Sequence, residues 1–182
     1  MSSIPPRLPP DQQPPQPGDF ACVHVKGDVG TLISVGEYLN GDGFSYYDHA
    51  LIYLGEGHVI GAQPGGARID PIRPDQLSRM NRDFLWSTGK IMLSPEQRRL
   101  IVAIAIKQKG VPYSPADYFA LSAHRLHIPI PGLKDFIVDS GHQICSQLVD
   151  WVYMMAGVHL FQDDRWPGYV TPQALANRLQ HA

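Results

Sequence analysis

Cys145 stands near the start of a segment, 139–157, whose apolar residues recur with helical spacing. Leu148, Val149 and Val152 follow it at i+3, i+4 and i+7, so the thiol shares their face and points at whatever that face packs on. A cysteine in the first helical turn also lies near unpaired N–H groups and the positive end of the helix dipole, which favour the nucleophilic thiolate. The position therefore predicts covalent catalysis, and the structural alternative is a buried thiol acting as a small hydrophobe.

A cysteine nucleophile needs a base, usually histidine, and a third group that orients the base. Of eight histidines, His49 stands at the entry to an apolar strand, where its side chain can leave the sheet and meet a helix end. Gln63 is the candidate orienting group, because a three-residue loop at 55–57 pairs it with His49, whereas a two-residue loop shifts the register by one. Asp48 competes for this role, although adjacent strand residues face opposite ways. The structural alternative for His49 is a strand-end histidine bonded to the backbone. The structural alternative for Gln63 is an ordinary exposed strand amide.

The remaining candidates for chemistry are weaker. His142 and Cys145 have the spacing of a zinc pair, but structural zinc sites use a second pair that this sequence lacks, so we predict neither a metal nor another cofactor. Cys22 and His24 alternate on one predicted strand face and are interpreted as structural. Two cysteines do not make a disulfide framework.

The composition is that of a globular protein. The chain has 182 residues, of which 43% are hydrophobic and 18% charged, and its formal net charge is -2. This charge gives no electrostatic basis for binding nucleic acid or an anionic membrane. The sequence shows neither a Sec-type signal peptide nor an apolar run long enough to cross a bilayer. We therefore expect a soluble protein that stays in the cytoplasm or leaves by a non-Sec route, such as a phage particle or a secretion system.

The order of predicted elements indicates an α+β fold with an antiparallel sheet. Residues 1–17 are rich in proline and predict a disordered tail, which carries a weak PxxP motif for a protein partner, and residues 18–182 form the domain. Strands are predicted at 20–26, in a hairpin over 49–63, and at 67–72, with a helix or loop at 27–43. Helices are predicted at 93–110, 113–126, 145–157 and 170–179, and Ser94, Pro95, Gln97 and Thr171 supply start signals.

Four segments together resemble the circularly permuted papain-like hydrolases, the NlpC-like group that includes lecithin:retinol acyltransferase-type proteins. They are PGDFACVHV, YYDHALIYLGEGHVIGAQPGGARIDPI, LSPEQRRLIVAIAIKQKGVPYSPADYF and QICSQLVDWVY. The histidine strand precedes the cysteine helix, which is the order that the permutation requires. The resemblance implies a permuted papain-like fold in which Cys145 is the nucleophile and His49 the base. Family members often carry Glu or His where Gly61 stands here, and Gln63 follows two residues later.

The resemblance also implies an activity, namely acyl transfer through an acyl-enzyme. The expected reaction is hydrolysis of peptide or amide bonds, first of all in the stem peptides of cell-wall peptidoglycan. One alternative is an amidase or acyltransferase that acts on lipid or protein. Another is an inactive papain-like module that binds a partner in a phage or secretion assembly.

Overall fold

The computed structural model describes residues 13–24, 46–63, 66–78, 80–111, 145–161 and 170–181. Within them lie five strands and three helices: β1 Phe20–Val23, β2 His49–Gly55, β3 His58–Gln63, β4 Gly66–Pro71, β5 Phe84–Trp86, α1 Pro95–Lys107, α2 Cys145–Met155 and α3 Pro172–Gln180. The strands form one antiparallel sheet in the order β4-β3-β2-β1-β5. The predicted α+β class is confirmed. The segments predicted at 27–43 and 113–126, and residues 1–12 of the predicted tail, lie outside the described residues.

Strand β5 is absent from the sequence prediction, which placed only helices after residue 72. Three residues are too few to show an alternating pattern, so no local signal marks this strand. Its pairing is tertiary, because Ala21 of β1 lies opposite Trp86 and Val23 lies opposite Phe84. Burial of the Trp86 ring, which is 2% exposed, holds the short strand against the sheet edge.

The β2–β3 hairpin has a two-residue turn and yet keeps the register predicted for a three-residue loop. Glu56 and Gly57 form the turn, and both have positive φ, as a type I′ turn requires. A bulge between Tyr53 and Gly55 then inserts one extra residue into β2, so that Ile52 pairs with Ile60. Continued to the strand ends, this register sets His49 across from Gln63.

The sheet has an apolar cluster on each face. The helix-side core contains Cys22, Ala50, Ile52, Ile60 and Ala62 from the strands, together with buried residues of all three helices. The alternate strand residues face the other way and form a second cluster: Ala21, Val23, Leu51, Tyr53, Val59, Ile72 and Trp86. This alternation with a period of two decides which side chains can reach the helices.

The helix start signals act as predicted. Ser94 accepts a hydrogen bond from the Gln97 backbone, and the Gln97 side chain accepts one from the Ser94 backbone, which completes the capping box of α1. Thr171 caps α3 by accepting from the Ala174 backbone.

A buried carboxylate fixes the chain just before β1. Asp19 is fully buried, and it accepts hydrogen bonds from the Gln16 backbone, the Thr88 hydroxyl and the Arg98 guanidinium at 2.8, 2.7 and 2.7 Å. Arg98 also donates to the Pro17 carbonyl, so the chain just before Gly18 is tied to α1. The Pro-Gly-Asp segment thus joins β1 to the helical layer.

Candidate functional site

The beginning of α2 lies at the same end of the sheet as the beginning of β2. The Ser146 hydroxyl donates to the Val170 carbonyl at 2.7 Å, and two residues further on the Pro172 carbonyl accepts from the Cys22 thiol at 3.7 Å. Cys22 pairs directly with Ala50, the neighbour of His49. The first turn of α2 is therefore connected to the first residues of β2 through the start of α3.

The other ends of these two elements also lie together. The Tyr153 hydroxyl donates to the Gly18 carbonyl, and the Gly18 N–H donates to the Tyr53 carbonyl near the end of β2. Helix α2 therefore runs in the same direction as β2, on which it packs. Cys145 and His49, each the first residue of its element, consequently share one end of the fold.

The predicted face of the cysteine helix is confirmed. Cys145 is 4% exposed and lies in the helix-side core with Leu148, Val149 and Val152, which are fully buried. It is also the first residue of α2, next to backbone N–H groups that lack partners within the helix. Burial disfavours the thiolate, whereas the helix terminus favours it.

His49 lies in a cavity of about 200 Å³ on the sheet face opposite the helices. The apolar lining comes from the second cluster and the adjoining β5, and His49, Gln63, Asp70 and Gln76 supply the polar groups. A Cβ placed on Gly61 would lie 3.0 Å from the His49 Nε2 atom, so the imidazole edge lies directly over this glycine. We call this cavity the His49 pocket.

The pocket keeps the His49 imidazole neutral. Burial lowers its pKa from 6.5 to about 4, and the nearby Asp70 carboxylate partly opposes this shift. A neutral imidazole has a free nitrogen lone pair near pH 7, so it can accept a proton there. A pKa of about 4 also makes His49 a weaker base than an exposed histidine, so burial in this pocket does not by itself favour general base catalysis near pH 7.

Gln63 lies in the same pocket, and its amide nitrogen donates to Asp70 Oδ2 at 2.8 Å. Asp70 Oδ1 forms an ion pair with Arg68 at 3.2 Å. The predicted orienting amide is therefore bonded to a carboxylate that the sequence prediction did not select. Alternation along the predicted third strand could have identified Asp70, since it pairs with Val59 on the face that carries Gln63.

Asp48, the competing orienting residue, is paired with a different histidine. Its Oδ2 atom lies 3.5 Å from His24 Nδ1, and the Asp48 side chain is 1% exposed. The His24 ring stacks on Tyr46 with 4.4 Å between ring centroids. Since neither His24 nor Asp48 lines the His49 pocket, this pair is separate from the His49 group.

The structure brings His49, Gln63 and Asp70 together and does not place Cys145 with them. Among the described residues that line the His49 pocket there is no cysteine, and the Cys145 thiol belongs to the core on the other face. The nucleophile and base candidates thus share an end of the fold while their side chains occupy different faces of the sheet. Residues 112–144, which lead into Cys145, are outside the described residues.

No model of a protein family matches the sequence, and no curated protein is significantly similar to it. None of the three described helices is long and apolar enough to cross a membrane.

Proposed function

We propose that the chain is a cysteine hydrolase with a permuted papain-like fold that cleaves peptide or amide bonds, with peptidoglycan stem peptides as the first substrate class. The observation that supports it best is the common direction of α2 and β2, which sets Cys145 and His49 at one end of the fold. The motif resemblance supplies the reaction class.

In the proposed mechanism, His49 takes the proton from Cys145, and the sulfur attacks the substrate carbonyl carbon. Backbone N–H groups at the start of α2 stabilise the oxyanion, and the imidazolium returns its proton to the leaving amine. Water then attacks the thioester and releases the acid, which regenerates the thiol. These steps require the imidazole to come within hydrogen-bond reach of the sulfur, so one of the two residues must move relative to the described arrangement.

A cross-linking experiment tests this requirement without knowledge of the substrate. In a Cys22→Ser background, we expect His49→Cys to form a disulfide with Cys145 under mild oxidation, a bond that needs Cα atoms within about 7 Å of each other. Tyr53→Cys, at the far end of β2, is the matched control and should stay reduced. Peptide mass spectrometry reads both variants. A 49–145 bridge without a 53–145 bridge would support the dyad, and bridging of 53–145 as readily as 49–145 would contradict it.

A substrate panel tests the activity. Purified protein is incubated with peptidoglycan stem peptides, with simple peptide amides and with lipid esters, and the products are identified by mass spectrometry. Cleavage of stem peptides that is lost in Cys145→Ala and retained in Cys22→Ser supports the proposed hydrolase. Cleavage of lipid esters alone would instead support the alternative of an amidase or acyltransferase that acts on lipid.

A binding module without catalysis is the second candidate, because the His49 pocket contains no cysteine among its described lining residues. This candidate predicts that Cys145→Ala binds peptidoglycan fragments as tightly as the wild type and that neither protein cleaves them. Calorimetry on the same fragments, run beside the cleavage assay, separates the two candidates.

A further inference from the structure

The His49 ring lies over a glycine instead of beside a side chain. A Cβ at Gly61 would meet His49 Nε2 at 3.0 Å and the Ala50 carbonyl at 3.3 Å, which is closer than Cβ atoms normally approach. Because Gly61 carries no side chain, the edge of the imidazole that bears Nε2 can cross β3. The next strand along the sheet in that direction is β4, where Arg68 pairs with Gly61 and Asp70 lies two residues further along on the same face.

Strand β4 presents a carboxylate to this pocket. Asp70 pairs with Val59 and therefore lies on the same face as His49, Gly61 and Gln63. The Gln63 amide holds one carboxylate oxygen at 2.8 Å, and Arg68 lies 3.2 Å from the other. Each oxygen has a second lone pair, so the carboxylate can accept a further hydrogen bond.

We infer that Asp70 is the positioning residue for the His49 base, reached across Gly61, and that Gln63 acts one step further back by holding Asp70 in place. The role of Asp70 in catalysis rests on the proposed function. The proposed pairing of His49 with Asp70 concerns the folded chain alone, so it can be tested without a substrate.

The chemical consequence is a fixed tautomer. An Nε2–H bond directed at Asp70 leaves the Nδ1 lone pair free to accept the Cys145 proton, which requires that the sulfur moves toward a stationary ring. When the imidazolium forms, the carboxylate stabilises its positive charge, while the proton taken from sulfur stays on Nδ1 until the leaving group receives it. Asp70 thereby orients the base and touches neither the sulfur nor the substrate.

The electrostatic surroundings of His49 are simple. Among the described residues that line the pocket, from β1, β2, β3, β4, β5 and the turn after β4, Asp70 is the only ionisable side chain besides His49 itself. Arg68 pairs with Asp70 from outside the pocket, with 61% of its side chain exposed to water. Consistent with this arrangement, Asp70 acts to raise the pKa of His49 against the lowering effect of burial.

Nitrogen NMR of the histidine rings in the full chain tests the pairing. We expect the wild type at neutral pH to show His49 with its proton on Nε2. In Asp70→Asn the Nε2 signal should move, and the His49 pKa should fall by about 0.5–1 unit because the favourable charge is gone. Asp70→Glu should partly restore the Nε2 signal and the His49 pKa. Asp75→Asn, which removes an exposed carboxylate paired with Arg73, is the matched control and should change neither.

If Asp70→Asn fails to fold, Gln63→Ala serves as the second variant. We expect it to change the Nε2 signal and the His49 pKa in the same direction and by a smaller amount. Unchanged ring signals in the folded variant, or an Nδ1–H tautomer in the wild type, would overturn the inference. On the substrate that the panel identifies, Asp70→Asn should lower kcat by about 10- to 100-fold with little change in KM. If the ring signals change as expected but no substrate is cleaved even by the wild type, the proposed function fails and the Asp70 assignment stands.

Discussion

Replacement of His49 by glutamine should remove a specific part of the acid sensitivity of the fold. The His49 pKa is about 4 in the folded protein and 6.5 when exposed, so between these values the unfolded chain binds a proton that the folded chain excludes. Folding stability linked to this histidine is therefore complete above about pH 6.5 and is lost as the pH falls toward 4.

The difference of about 2.5 units corresponds to about 3.4 kcal/mol at full titration, and to about 2.5 kcal/mol between pH 7.5 and 4.5. Because the side chain is partly exposed, water screens the effect, and we expect a difference of about 2 kcal/mol. Urea unfolding of wild type and His49→Gln, followed by tryptophan fluorescence at both pH values, measures it. The wild type should lose about 2 kcal/mol more than the variant on acidification. Equal losses in the two proteins would refute the lowered pKa of His49 in the folded protein.

Three further substitutions test other parts of the description. Gly61→Ala should displace the His49 ring and cost about 1–3 kcal/mol of unfolding free energy, because its Cβ meets Nε2 at 3.0 Å; unchanged stability and an unmoved ring signal would contradict this contact. Asp19→Asn should cost about 2–3 kcal/mol of unfolding free energy, because it leaves the largely buried Arg98 guanidinium without its counter-ion. An equal loss in a variant that lacks both charges would show that the ion pair itself contributes little. Ser94→Ala should cost about 1 kcal/mol in urea unfolding through loss of the α1 cap, and Ser94→Asp should recover most of it.

Local signals in the sequence predicted most of the described elements. The apolar faces of α2 and of the β2–β3 hairpin, and the caps at Ser94 and Thr171, depend on residues a few positions apart, so a single segment contains the information. Strand β5 depends on pairing with β1, more than sixty residues earlier, and three residues carry no period of their own. The Gln63 register was predicted for a longer loop, and the bulge after Tyr53 restores it by a route that no pattern indicated.

The sequence predicted which residues belong to the candidate site better than it predicted the contacts between them. Cys145 and His49 follow from helix and strand positions, and both begin the elements expected of them. The sheet face on which His49 lies depends on the alternation of side chains, which is fixed by the whole sheet. This alternation places the His49 ring away from the helix-side core. Alternation along β4 could have placed Asp70 on the face of Gln63, but its position relative to His49 depends on β2 and β4 flanking β3 and on the space above Gly61, which no local motif encodes.

The common direction of α2 and β2 has a consequence during synthesis on the ribosome. The hairpin that carries His49 emerges early, but the surface that orders its start is completed only when the last two helices dock, roughly a hundred residues later. Contacts of such sequence separation form late and slowly. An incomplete nascent chain would therefore hold its histidine and no aligned thiol, so that any activity of this protein would begin only after α2 and α3 have left the ribosome.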